Sequence, residues 1–244
     1  MRCSILISSA RSGTNYFLSV YQQCFPRDLV VKEIFREQGD SLPQLKRALG
    51  LSEDRILAMV RTQPSALWRL LMQHAGRSGV GVIAKIFYYH VAADDPLWML
   101  FRRRARIVHL IRRNAFNIFL SREIARKTGQ WQVFRHEMPS RRGNRRVHIG
   151  RGELEAFMSL HQQRVAAVRT RYADADYHEV FYEDIEDSID ACARRVCAIF
   201  GSGQPPEQPK IALKKQKRER NEALVVNYDD VADLDRELTL EPGP

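Results

Sequence analysis

Cysteine is scarce in this 244-residue chain: there are four, Cys3, Cys24, Cys192 and Cys197, widely spaced and with no C-x-x-C pair. That spacing argues against a disulfide scaffold and against a cysteine zinc site. Cys192 and Cys197 fall in a helical apolar pattern and read as core thiols. Long apolar runs are missing too, for no stretch approaches the ~20 residues of a membrane span. The first apolar stretch is too short for a secretory h-region, and Arg-Ser-Gly stands where a cleavage site would be needed. These absences predict a cytoplasmic protein in a reducing setting, without an integral membrane segment. No internal repeat and no obvious metal-ligand cluster is present, so no metal is expected.

What the chain has in excess is positive charge. Lys and Arg number 39 against 29 Asp and Glu, a formal net charge of +10. This sets the sign of the partner and not its identity, because a nucleotide, a nucleic acid, an acidic glycan and a membrane surface are all anionic. The basic runs Arg102-Arg103-Arg104, Arg141 to Arg151 and Lys214 to Arg220 keep a nucleic-acid-binding protein as an alternative, although no recognised nucleic-acid motif accompanies them. The apolar share of 44% is ordinary for a globular chain, and the length fits one α/β domain over residues 1–244.

The most informative segment is Ile5 to Tyr16, Ile-Leu-Ile-Ser-Ser-Ala-Arg-Ser-Gly-Thr-Asn-Tyr. An apolar run passes into small residues and one Arg, and a helical pattern follows from Asn15. Such a strand, loop and helix start bring backbone N–H groups together in a pocket suited to a phosphate. Ser12, Thr14 and Asn15 add side-chain donors, Gly13 the turn, and Arg11 the charge. Taken alone the segment is equally a buried first strand with a polar turn.

Apolar and β-branched runs predict further strands at Leu29 to Phe35, Val80 to Tyr88, Ile107 to Ile111 and Tyr177 to Tyr182. Helical spacing predicts helices at Asn15–Gln23, within 40–76 with breaks at Leu51-Ser52 and Pro64, and at Pro96–Arg104. It predicts others at Asn114–Lys127, Glu153–Tyr172 and Ser188–Phe200. Met138 to Gly152 holds Pro139, three glycines and five arginines without an acid, and reads as a mobile surface loop. Gly201 to Pro209 reads as a linker to a basic tail from about residue 210. The alternation predicts a P-loop-like, doubly wound sheet of about five mostly parallel strands, with ligands at the strands' carboxyl ends.

A second strand-to-helix junction stands at Ile107 to Ser121. Arg113 ends the strand and Ser121 lies eight positions later, inside the next helix. Together the two junctions resemble the sulfotransferases that use 3′-phosphoadenosine 5′-phosphosulfate (PAPS). Arg11-Ser12-Gly13-Thr14 resembles their 5′-phosphosulfate loop, and Arg113-Asn114-Ala115 to Ser121 their 3′-phosphate motif, with the same Arg-to-Ser spacing. Phe181-Tyr182-Glu183-Asp184 looks like the Tyr-Glu-Asp after a late strand of this family. Lys215-Gln216 with Asn227-Tyr228 is similar to the ending of bacterial carbohydrate sulfotransferases of the Stf0 and nodulation-factor type. The match is patchy and runs from residue 5 to about 228. Many cytosolic members have Lys where this chain has Arg11, and the glycine-rich tail motif of the hormone and phenol branch is missing.

The resemblance implies a sulfotransferase with PAPS as co-substrate, 3′-phosphoadenosine 5′-phosphate (PAP) as product, and an acceptor hydroxyl on a saccharide or glycoconjugate. It implies nucleotide contacts from Arg11, Ser12, Gly13, Thr14, Asn15, Arg113, Ser121, Tyr182 and Lys215. Arg11 is placed at the leaving group, and Lys85 of Ala84-Lys85-Ile86-Phe87 matches a strand-end Lys of the family. Lys32-Glu33-Ile34-Phe35 resembles the stretch in which the Stf0 group carries its catalytic glutamate, which makes Glu33 the general base and His90 the second choice. Phe87 stands where the phenol branch has its His. A P-loop kinase or NTPase is the other alternative; it requires G-x-x-x-x-G-K-[ST], of which the first Gly and the Lys are both lacking.

Overall fold

The computed structural model describes residues 2–37, 40–131, 145–201 and 219–238. Its apolar runs supply five strands: β1 (Cys3–Ser8), β2 (Leu29–Lys32), β3 (Val82–Phe87), β4 (Arg106–Ile111) and β5 (Tyr177–Phe181). All neighbours pair in parallel, in the order β2-β3-β1-β4-β5. Among the described residues eight helices of eight residues or more accompany them: α1 (Thr14–Cys24), α2 (Leu42–Leu49), α3 (Glu53–Thr62), α4 (Pro64–Ser78), α5 (Leu97–Arg104), α6 (Ala115–Thr128), α7 (Arg151–Tyr172) and α8 (Ile189–Phe200). This is the P-loop-like, doubly wound architecture that the alternation predicts, and it gathers every strand's carboxyl end on one edge.

The central strands are apolar on both sides because both faces are covered. Ile5, Ile7, Val82, Ala84 and Ile86 pack with Leu45, Ile56, Trp68, Leu71 and Phe101 from α2 to α5. Leu6, Ile83, Val108 and Leu110 face the other way, onto Phe17, Leu18 and Tyr21 of α1 and Val196 and Phe200 of α8. A third cluster joins α6, α7 and the chain after residue 219 through Phe116, Phe119, Leu154, Leu224 and Val225. The 40–76 stretch breaks where expected, at the left-handed Gly50 before the Ser52 cap and again before Pro64. No helix among the described residues is long and apolar enough to cross a membrane.

Two expectations need correction. The second strand stops at Lys32 rather than Phe35, because Glu33 adopts a φ of 54° and turns the chain away. Ile34 and Phe35 are buried, but against α2 to α5 and not in a ladder. The described part of the Arg-rich stretch, 145–152, is not a mobile loop. Val147 bridges to Val225 in parallel, Ile149 is fully buried and exchanges hydrogen bonds with the Asn227 amide, and Arg151 already belongs to α7. Residues 138–144 lie outside the described residues, as does most of the linker and basic tail after Gly201.

A buried polar chain fastens the site edge of the sheet to α7. Tyr177 donates to Glu179 at 2.6 Å, so its oxygen accepts from Nδ1 of His109 at 2.7 Å, and Nε2 of His109 accepts from the Tyr88 hydroxyl at 2.7 Å. Arg169 of α7 closes the chain with a two-pronged contact to Glu179. Burial, and secondarily the charge of Arg169, hold His109 neutral, well below the ordinary histidine value. An unfolded chain takes up a proton at this residue near pH 6.5 while the folded chain does not, so stability falls as pH drops below that value. Denaturant titrations at stepped pH should show a loss from this one proton that rises toward about 1.4 kcal/mol per pH unit below ~6.5; a flat profile between pH 7 and 5 would show that His109 is not held neutral.

Candidate active site

The first loop is built by two left-handed residues. After Ser8, whose hydroxyl donates to the Leu110 carbonyl at 2.6 Å, the chain passes Arg11 at φ 69° and Gly13 at φ 81° before α1 begins. Gly13 is required twice over, since a Cβ there would also stand 2.2 Å from the Tyr182 ring. The hydroxyls of Ser9 and Ser12 lie 2.6 Å apart, and Ser12 and Thr14 are buried. No side chain caps α1 and no acid sits in its first turn, and the first intrahelical bond runs from the Phe17 amide to the Gly13 carbonyl, so the amides before it have no partner within the helix. That arrangement suits an oxyanion.

Arg11 reaches across the sheet edge to α6. Its Nε and Nη2 donate to Ser121 Oγ at 3.0 and 2.8 Å, and Nη1 donates to the Trp131 carbonyl at 2.5 Å. Burial, helped by the charge of Arg112, lowers its pKa to about 10, which leaves it charged at neutral pH. Arg112 donates to the Arg11 carbonyl at 3.1 Å and lies 4.7 Å over the Tyr182 ring. Its Nε is buried with no hydrogen-bond partner among the described residues. Sequence reasoning passed over Arg112; the only signal was its place beside Arg113.

Arg113 and Ser121 occupy the expected junction, but they do not touch the same atoms. Ser121 faces Arg11, whereas Arg113 donates to Asp184 at 2.8 Å and lies 3.7 Å over the Phe181 ring. Glu183 accepts the backbone N–H groups of Arg113 and Asn114 at 3.1 and 3.2 Å, which ties the end of β5 to the start of α6. Asn114, expected as the first helical residue, caps α6 by accepting from the Asn117 amide. Tyr182 is wedged between Gly13 and Arg112. Lys215 lies outside the described residues.

The third element is a buried ion pair. Lys85 on β3 is 1% exposed and donates to Glu33 Oε1 at 2.9 Å and to Asn15 Oδ1 at 3.0 Å. Asn15 therefore offers its carbonyl oxygen to the lysine. Arg36, which the sequence did not single out although it stands one helical step beyond Glu33, donates to Glu33 Oε2 at 2.9 Å. Burial pushes the Glu33 carboxyl up, but the Lys85 charge and the hydrogen bonds of Lys85 and Arg36 outweigh it and lower the pKa. Burial lowers Lys85, against the opposing pull of Glu33. A small cleft lined by Glu33, Arg36, Ser41, Leu45, Ile56 and Val60 separates the pair from α2 and α3.

His90 stands beside this pair in a form that favours donation. Its Nδ1 accepts the Phe87 amide at 3.3 Å, so the neutral ring carries its proton on Nε2, which is buried without a partner among the described residues. Burial lowers its pKa to about 4, and nearby Lys85 and Arg36 oppose its charge. Of the two candidate bases, Glu33 is thus the anionic one, each of its oxygens accepting from a cation, and His90 presents an N–H.

The chain matches no protein-family model and no curated protein. Among solved structures it is similar to a sulfotransferase domain from the curacin biosynthetic pathway, with a TM-score of 0.51 and 12% identity over 85% of this chain and 76% of that one. It is also similar to a sulfotransferase from Alicyclobacillus acidocaldarius, with 15% identity over 96% and 92% of the two chains and a TM-score of 0.48. A shikimate kinase from Bacteroides thetaiotaomicron gives 10% identity over 82% and 99%, with a TM-score of 0.41. The likeness is one of fold.

The loop geometry makes a direct prediction. Gly13→Ala should destabilise the protein by roughly 2 kcal/mol, from the left-handed backbone and the Tyr182 contact together. In a Tyr182→Ala background the loss should shrink, because only the backbone part remains; thermal denaturation of the four proteins measures this, and an undiminished loss would show that Tyr182 does not press on the loop.

Proposed function

We propose that this chain is a sulfotransferase that moves the sulfuryl group of PAPS to a hydroxyl of a saccharide acceptor. The reading rests chiefly on the contact of Arg11 with Ser121, across 110 residues. The two segments that resemble the 5′-phosphosulfate loop and the 3′-phosphate motif meet at adjacent strand ends. The chain's own atoms fit an anionic nucleotide: the uncapped start of α1, the Ser12 and Thr14 hydroxyls, and the unpartnered Nε of Arg112.

In this reading Gly13, Thr14 and the neighbouring amides hold the 5′-phosphosulfate, Arg113 and Ser121 hold the 3′-phosphate, and Tyr182 and Lys215 complete the nucleotide site. The Glu33 carboxylate takes the proton of the acceptor hydroxyl while that oxygen bonds to sulfur and the bond from sulfur to the phosphate oxygen breaks. Arg11 and Lys85 stabilise the charge on the transferred group and the leaving oxygen. Lys85 now sits on Glu33; when it turns to the sulfuryl oxygens, the carboxylate loses a hydrogen bond and gains basicity at the moment a base is needed.

Nucleic-acid binding has less support. Among the basic runs, Arg102 is paired with Asp174, Arg145 with Glu219 and Arg151 with Asp233. The kinase alternative lacks the motif's Lys.

Calorimetry with PAP and with ATP tests the reading: PAP should bind at least about tenfold more tightly, and equal or reversed affinities would reject it. Arg113→Ala should weaken PAP binding by about tenfold or more, at the expense of its pair with Asp184, and unchanged affinity would remove the 3′-phosphate assignment. Glu33→Gln should leave PAP affinity within about twofold and reduce turnover by roughly 10²-fold or more; parallel loss of both would take Glu33 out of the chemical step.

A further inference from the structure

Past Lys85 the end of β3 forms an aromatic corner on the Glu33 side of the site. Lys85 Nζ lies 5.0 Å from the centre of the Phe87 ring, Phe87 lies 5.8 Å from Tyr89, and Tyr89 meets His90 edge-on at 5.2 Å. Tyr89 is 54% exposed, unusual for a ring so well surrounded.

Arg164 comes from α7 to this corner and places its guanidinium 5.5 Å from the Tyr89 ring. It is half-buried, yet it has no carboxylate and no hydrogen-bond acceptor among the described residues. Other arginines of this face of the molecule are paired with acids: Arg169 with Glu179, Arg36 with Glu33, and Arg122 with Glu123. Arg122 lies over the rings of Phe119 and Phe157 at 4.6 and 4.9 Å, and with Arg36 it adds to the positive field felt by the Tyr89 hydroxyl. A partly desolvated guanidinium without a counter-charge is costly unless a ligand supplies one.

On the sulfotransferase reading, the hydroxyl that gives its proton to Glu33 enters beside these residues. We propose that the acceptor carries an oxyanion group, a carboxylate or a sulfate ester, which Arg164 binds while the sugar ring lies on Tyr89. Arg164 is a specificity-determining residue: it selects acidic over neutral saccharides and takes no part in nucleotide binding. The aromatic face suits the apolar side of a pyranose, and the guanidinium fixes its orientation.

Three tetrasaccharides titrated into the PAP-loaded protein test this: an N-acetylglucosamine tetramer, an alternating glucuronate and N-acetylglucosamine tetramer, and an N-acetylglucosamine tetramer bearing a single 6-sulfate. The charged probes should bind about tenfold or more tightly than the neutral one, and whichever charged probe binds best identifies the oxyanion. Arg164→Gln and Arg164→Ala should abolish that advantage and leave PAP affinity unchanged, whereas Arg126→Gln, on the outer surface of α6, should preserve it. Equal affinities in the wild-type protein, an advantage that survives both Arg164 variants or disappears equally with Arg126→Gln, or no saccharide binding at all would overturn the proposal. Failure of PAP itself to bind would instead overturn the sulfotransferase reading, and this one with it.

Discussion

Moving an ammonium group out of water costs several kcal/mol unless close partners replace the lost hydration. Lys85 meets that cost with two acceptors, one from each side: Glu33, just beyond β2, and Asn15, in the first turn of α1. Three separate segments are thereby held to one nitrogen atom. The parallel pairing of β2, β3 and β1 brings them near, and the charge sets their final spacing. The first loop cannot drift from the β2 end without stranding the lysine, so the same ion pair fixes the shape of the anion cradle and the place of the proposed base.

The two non-glycine residues with positive φ among those described are Arg11 and Glu33. Each follows a strand at the carboxyl edge, and each carries a charged side chain proposed for the chemistry. A left-handed conformation at such residues costs of order 1 kcal/mol or more and persists where the surroundings enforce it. Here the enforcement is visible: Arg11 is held by Ser121 and by Arg112 on its carbonyl, and Glu33 by Lys85, Arg36 and a backbone bond to Lys85. From these backbone positions Arg11 reaches Ser121 of α6 and Glu33 reaches Lys85 of β3.

How much of this was legible in the sequence depends on whether backbone or side-chain partners are asked for. Strand, loop and helix around Arg11 could be read because a strand buried on both faces is a plain apolar run and a helical pattern follows from Asn15, while the loop alone read equally as a polar turn. The end of β2 could not, because Ile34 and Phe35 are buried by α2 to α5 without pairing, and burial alone looks the same in either case. Val147 and Ile149 were hidden among arginines and glycines, although they plug a core shared with Val225. The Arg113 to Ser121 spacing located a junction correctly. It could not say that Arg113 turns to Asp184 while Ser121 faces Arg11, since spacing constrains Cα positions and leaves the rotamers to neighbours far away in the chain. Arg112 and Arg164 were illegible for the same reason.

Among the described residues, two kinds of arginine contact stand apart. Arg169, Arg151 and Arg61 grip carboxylates with two nitrogens each, a geometry that spends their charge on the fold. Arg112 instead donates to a carbonyl and lies over an aromatic face, and the contacts of Arg11 include a hydroxyl and a carbonyl. Neutral dipoles satisfy the donors without cancelling the charge, and they are given up at less cost than an ion pair when an oxyanion arrives. A net charge of +10 spread evenly over paired surface groups would attract anions only weakly; Arg112, which meets no acid among the described residues, keeps its charge at the strand ends.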